Sequence, residues 1–193
     1  PIHVHEFGAR HLVDPSKLLA SATRIYGAAM DTLWGETIPA PADLVHPVVD
    51  GQELVFGQLR LRAVETPGHA RHHHVFELDL GHETVCFAGD AAAMLLPSTD
   101  FISIPTPPPE FNLPVWLETI ERLRKGTWTR FHLTHGGTVE ADSDHLDRLA
   151  DGLRRQVEWI RQWQEEGLQG RALHSRYRDT LLEQAQGHGI APK

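Results

Sequence analysis

Three short segments carry the residues best suited to chemistry: Thr66-Pro67-Gly68-His69-Ala70, Phe87-Ala88-Gly89-Asp90 and Leu133-Thr134-His135-Gly136-Gly137. Each sets an imidazole or a carboxylate at the end of an apolar run, next to glycine. A buried strand delivers such a side chain to a sheet edge, and glycine lets the backbone turn sharply there. Two imidazoles and one carboxylate brought together suit zinc or another borderline divalent ion. Each residue also has a plainer reading. His69 and His135 can be solvated turn residues, and Asp90 can cap a helix beginning at Ala91. A carboxylate directly after a buried strand is costly unless it is solvated, paired or bound to a cation.

Further histidines cluster near these segments, and the chain holds fourteen in all. His72, His73 and His74 are consecutive, so strand alternation forbids all three from converging on one ion. His72 or His73 is expected to line the site as a proton carrier, a substrate contact or support for the ligands. In His3-Val4-His5, alternation puts both imidazoles on one face. His5 and His11, with Glu6, form a polar group expected beside the site. His132 alternates away from Leu133 and is the weaker candidate on its strand.

No rival nucleophile competes. There is no Gly-x-Ser-x-Gly elbow, and the single cysteine, Cys86, sits in an apolar strand as a small buried filler. One cysteine excludes an internal disulfide, and the compartment defaults to cytoplasm. A net charge of -8 argues against a nucleic-acid surface. No apolar run is long enough to span a bilayer, and no membrane partner is expected. The first residue is proline, which predicts a piece of a longer product.

The elements that must position these residues read as follows. Ile2 to His5 is a strand. Asp14-Pro15 starts a helix with Leu18, Leu19, Ala22, Ile25 and Tyr26 on one face. Leu44 to Val49 and Glu53 to Phe56 read as strands flanking a hairpin turn at Asp50-Gly51. Gln58 to Glu65, His73 to Leu80 and Thr84 to Phe87 follow, the last two joined around Gly81-His82-Glu83. The Pro105 to Pro109 run forces a loop expected at the mouth of the site. Trp116, Leu117, Ile120 and Leu123 mark a helix from Leu113 to about Lys125. Trp128 to Thr134 is a strand, Asp144 to about Glu166 a long amphipathic helix, and Leu173 to Ala185 a last helix. Arg171, His174, Arg176, Tyr177 and Arg178 could close over an anionic substrate, or form a solvated face with Leu173, Leu181 and Leu182 packed inward. Interleaved strands and helices at 193 residues predict one α/β layered domain.

Taken in order, the Thr-Pro-Gly-His turn, the Gly-Asp turn and the strand-ending histidine resemble the metallo-β-lactamase-fold hydrolase superfamily. The resemblance runs from about Val4 to His145. His5 to Leu12 and the Pro-rich Thr106 to Phe111 resemble a hydrolase-like subgroup of it. It implies an αββα sandwich, here mainly its C-terminal half, with 1–140 as the fold portion and 141–193 as a helical extension packed on it. It also implies a site of two zinc ions, with iron or manganese as alternatives: His69 on one, His135 on the other and Asp90 bridging. The family's first motif, His-x-His-x-Asp-His, is absent, because His3-Val4-His5-Glu6-Phe7-Gly8 departs from it at both the aspartate and the second histidine. The expectation is that this motif and the first sheet lie upstream of Pro1 or in an associated piece, and that the fragment alone is inactive.

The leading function is hydrolysis of a small-molecule ester, thioester or lactone by a metal-held water, with Asp90 orienting it. A mononuclear-iron sulfur dioxygenase of the same fold is the first alternative, and a degenerate binding or assembly protein the second. A homodimer is compatible with the sequence.

Overall fold

The structure is a computed structural model and describes residues 1–96 and 98–190. The chain opens with strand β1 (Ile2–His5), helices α1 (Glu6–Val13) and α2 (Ser16–Tyr26) and the single turn α3 (Met30–Leu33). Strands β2 (Val45–Val48), β3 (Glu53–Phe56), β4 (Leu59–Glu65), β5 (His74–Asp79) and β6 (Thr84–Gly89) follow. A short ladder, β7 (Met94–Leu95) with β8 (Ile102–Ser103), precedes helix α4 (Leu113–Arg124). Strands β9 (Arg130–Leu133) and β10 (Thr138–Glu140) and helices α5 (Ser143–Glu165) and α6 (Gly170–Gly187) complete the order.

The main sheet has the order β10-β9-β6-β5-β4-β3, with β6 and β9 parallel and the other neighbours antiparallel. Alternation gives it two apolar faces. One face carries Val64, Val75, Cys86, Ala88, Phe131 and Leu133, packed against Trp116, Ile120 and Leu123 of α4 and Leu146, Leu149 and Leu153 of α5. Each buried Val, Leu, Ile or Phe side chain among these contributes about 1.5–3 kcal/mol. Cys86 is fully buried here, and burial pushes its thiol pKa up, so it is a filler and not a nucleophile. Helix α5 therefore belongs to the same core as the sheet.

The other face carries Leu54, Leu61, Ala63 and Phe76, and Val48 of β2 packs on it. Strands β1 and β2 pair in parallel as a small second sheet, and α1 packs on β2. The layers run helix, sheet, sheet, helix. The small sheet covers only part of the face: Phe56 and Phe87 remain 44% and 42% exposed.

Three local readings change. The Asp50-Gly51 turn exists, with Gln52 N–H donating to the Val49 carbonyl at 3.2 Å, but it joins two sheets. Strand β2 pairs with β1 and β3 pairs with β4, so there is no hairpin at that point. Residues 6–13 form a helix that the sequence pattern did not suggest. Leu18, Ile25 and Tyr26 do share a face of α2, but that face is exposed. No helix among the described residues is long and apolar enough to cross a membrane.

Candidate metal centre

His69 sits on the turn between β4 and β5, and α4 fixes that turn. Asn112 N–H donates to the Gly68 carbonyl at 2.8 Å, while the Asn112 side chain caps α4 by accepting from Val115 N–H at 3.2 Å. Thr119 Oγ1 donates to the Pro67 carbonyl at 2.6 Å. Gly68 adopts φ +129, and a Cβ there would stand 2.4 Å from Trp116 Cα. Only glycine satisfies both the backbone angle and the contact. The Thr-Pro-Gly-His signature is therefore a seat for a helix as well as a ligand turn.

Asp90 follows β6, where Ala91, Ala92 and Ala93 are fully buried. No helix begins at Ala91, so the capping reading of Asp90 fails. Buried backbone groups need partners, and distant side chains supply them. Trp116 Nε1 donates to the Ala91 carbonyl and His145 Nε2 to the Ala92 carbonyl, both at 2.9 Å. His73 Nε2 accepts from Asp90 N–H at 3.1 Å. The other His73 nitrogen, Nδ1, then carries the proton and donates to Thr66 Oγ1 at 2.7 Å. Burial, reinforced by the neighbouring histidines, lowers the His73 pKa to about 3, so the ring is neutral with a fixed tautomer.

These two turns bring His69 and Asp90 together. His69 Nδ1 lies 2.9 Å from the Pro105 carbonyl. A carbonyl only accepts, so Nδ1 carries a proton, and in the neutral ring Nε2 is the nitrogen with the lone pair. Nε2 faces Asp90 Oδ2 at 3.5 Å. Two acceptors at that distance need a proton or a cation between them. The second carboxylate oxygen, Oδ1, is buried without any hydrogen-bond partner. Two donors on one tetrahedral zinc, each at 2.0–2.1 Å from it, sit about 3.3 Å apart. The orphaned oxygen, the spacing and the anchored imidazole all fit a divalent metal.

His135 lies two residues beyond Leu133, which pairs with Gly89, so it shares the strand-end rim with Asp90 one strand over. It is exposed, and among the described residues its side chain makes no hydrogen bond or ion pair to His69 or Asp90. His5 and His72 line a cleft of about 340 Å³ together with His69, His73, His74 and Asp90. His5 Nδ1 caps α1 by accepting from Phe7 N–H at 3.0 Å, while its Nε2 lies 3.4 Å from Glu65 Oε1. His72 has a buried, unpartnered Nδ1, and burial lowers its pKa. His11 stays on α1 beside the Phe7 ring and does not line the cleft. The Pro105–Phe111 loop acts on the centre through the Pro105 carbonyl and through Glu110, which accepts a forked pair from exposed Arg71.

Helix α6 does not reach the cleft. Tyr177 Oη donates to Gln156 on α5 at 2.8 Å, Arg176 lies over the Trp163 ring, and Leu182 is exposed and not packed inward. Glu65 and Thr66 carry geometry that motif reading missed, as does the role of His73. The signal was cross-strand pairing: residues flanking the 66–73 connection face each other.

No family model matches the chain. A metallo-beta-lactamase fold-containing protein of Sulfurisphaera tokodaii is 29% identical over 135 residues, 69% of this chain and 49% of the relative. The chain thus spans about half the length of that curated relative. The crystal structure of an archaeal metallo-beta-lactamase superfamily protein from Sulfolobus tokodaii matches 80% of this chain and 57% of its own, at TM-score 0.64 and 25% identity. A metallo-beta-lactamase family protein of Thermus thermophilus matches 82% of this chain and 54% of its own, at TM-score 0.59 and 22% identity. With the layered sheets, these likenesses show that the chain has the metallo-β-lactamase fold, shared by a superfamily whose members are in general metal-dependent hydrolases.

Proposed function

We propose that this chain supplies the His69–Asp90–His135 rim of a metal-dependent hydrolase acting on a small ester, thioester or lactone. The observation that carries the reading is the Asp90 carboxylate, with one oxygen facing a lone-pair nitrogen at 3.5 Å and the other buried and unpartnered. His69 and Asp90 would hold one divalent ion, zinc by donor chemistry, and His135 a second on the same rim. Such an ion lowers the pKa of the water it holds to about 7 and polarises a carbonyl.

The chain's own groups have definite tasks in this scheme. The Pro105 carbonyl holds the His69 ring and tautomer, and His73 holds the Asp90 backbone. Asp90 would orient the attacking water as well as hold the ion. Donors completing the site would come from a further segment of the same protein or an associated polypeptide. The partly uncovered sheet face bearing Phe87 supports that reading.

The test is turnover and zinc content of the full gene product on ester, thioester and lactone panels, with Asp90→Asn alongside. The variant is expected to lose about 10²–10⁴-fold in turnover and to retain less zinc. Turnover unchanged by Asp90→Asn would remove Asp90 from the mechanism and defeat the proposal.

A further inference from the structure

The cleft holds a second group of donors. Glu65 and His74 are cross-strand partners at the end of the β4–β5 pair, so their side chains share a face. His5 reaches them from the end of β1. Its Nε2 lies 3.4 Å from Glu65 Oε1, and its ring centroid lies 4.6 Å from that of His74. One donor atom from each of the three falls within 4.8 Å of the others.

Two observations point to a ligand at this position. Both ring nitrogens of His74 are buried and neither has a hydrogen-bond partner. A neutral imidazole has one donor and one acceptor, and leaving both unmade away from water is unfavourable. Glu65, moreover, projects from a clamped backbone. Its N–H donates to Asp50 Oδ1 at 2.8 Å, and its carbonyl accepts from Arg122 at 3.0 Å. Arg122 closes the clamp on both Asp50 oxygens at 2.8 Å.

We propose that His5, Glu65 and His74 form a binding position for a borderline divalent cation such as zinc, separate from the His69–Asp90 position. Two imidazoles and a carboxylate are a sufficient protein donor set for zinc with one place left open. The 3.4 Å between His5 and Glu65 matches the spacing of about 3.3 Å expected for two ligands of a tetrahedral ion. His74 offers the third donor, within 4.8 Å of both.

Loading this position has a consequence for α1. His5 Nδ1 accepts from Phe7 N–H, so in the neutral ring the proton sits on Nε2. Coordination through Nε2 moves that proton to Nδ1, with no net proton released from His5. Phe7 N–H then loses its acceptor. Cation binding and the N-terminal cap of α1 are mutually exclusive.

The test removes the other position first. Zinc binding is measured by equilibrium dialysis with elemental analysis on this chain carrying both His69→Ala and Asp90→Asn. One zinc per chain is expected to remain. Adding Glu65→Gln or His74→Gln should weaken it at least about tenfold, and zinc should speed hydrogen exchange at Phe7 N–H. Circular dichroism checks folding, and Glu65→Gln, isosteric and partly exposed, keeps the test decisive if His74→Gln unfolds. Absence of zinc in the doubly substituted chain, or binding indifferent to Glu65→Gln, overturns the proposal. Zinc bound without any change at Phe7 removes His5 from the donor set and overturns it as stated. Neither result touches the hydrolase reading, which rests on Asp90.

Discussion

His73 should make this fold sensitive to acid, by an amount that the structure allows to be worked out. Its ring is held neutral between Thr66 Oγ1 and Asp90 N–H, and burial lowers its pKa from 6.5 to about 3. Above pH 6.5 the ring is neutral in both folded and unfolded chains, so it adds no pH dependence. Between pH 6.5 and 3 the unfolded chain binds a proton that the folded chain refuses. Stability therefore falls as pH falls through this window, by about 1.4 kcal/mol per pH unit. The loss is about 2 kcal/mol at pH 5 and about 4 kcal/mol by pH 3. Other buried histidines add to the same slope: burial also lowers the pKa of His74, to about 4, and that of His145. The clean measurement is therefore a difference. Urea unfolding of the wild-type chain and of His73→Gln is followed from pH 7 to pH 4 with a chelator present. Gln can still accept from Asp90 N–H but does not titrate. The wild type should lose about 2 kcal/mol more than the variant between pH 7 and pH 5. Parallel pH profiles, within 0.5 kcal/mol or so of each other, would show that His73 is not held neutral and would refute the account of how Asp90 is fixed.

Two further substitutions probe the scaffold. Gly68→Ala would drive a Cβ to 2.4 Å from Trp116 Cα at φ +129, so backbone must yield to backbone; a loss of about 3 kcal/mol or more in urea unfolding is expected. Trp116→Phe keeps most of the buried ring but leaves the Ala91 carbonyl without its donor, and should cost about 1–3 kcal/mol by the same assay.

The sequence revealed elements wherever a pattern repeats along one segment. The apolar period of α4 and α5 is strong, and their caps, Asn112 and Asp142, are residues whose side chains favour that position. Helix α1 was hidden because its cap is the imidazole of His5, an unusual capping group, and because Phe7, Gly8 and His11 give it a poor apolar stripe. The pairing of β2 was hidden for a different reason. Asp50-Gly51 makes the same local turn whether the flanking strands meet each other or separate, and the choice is made by β1, more than forty residues away. At Asp90 the local signature was misleading. Asp-Ala-Ala-Ala favours a helix start, but Trp116 and His145 satisfy the Ala91 and Ala92 carbonyls from outside and hold a turn instead.

The consecutive histidines show where local reading stops. Alternation requires His72, His73 and His74 to diverge, and they do. His73 turns toward His69, with ring centroids 5.9 Å apart, while His72 and His74 both approach His5, at 6.4 and 4.6 Å. The sequence alone supplies the divergence but not the destinations, since these depend on two registers. Pairing of Glu65 with His74 selects one side, and the return of β1 beside β2 brings His5 to it. His69 and Asp90 announce themselves because each directly follows a glycine in the turn after a strand. Glu65 and His74 are the facing end residues of β4 and β5 with no glycine beside them, and a polar side chain on a sheet face is ordinary. A buried imidazole with both nitrogens unmade is not ordinary, and that becomes visible only once the strands are paired.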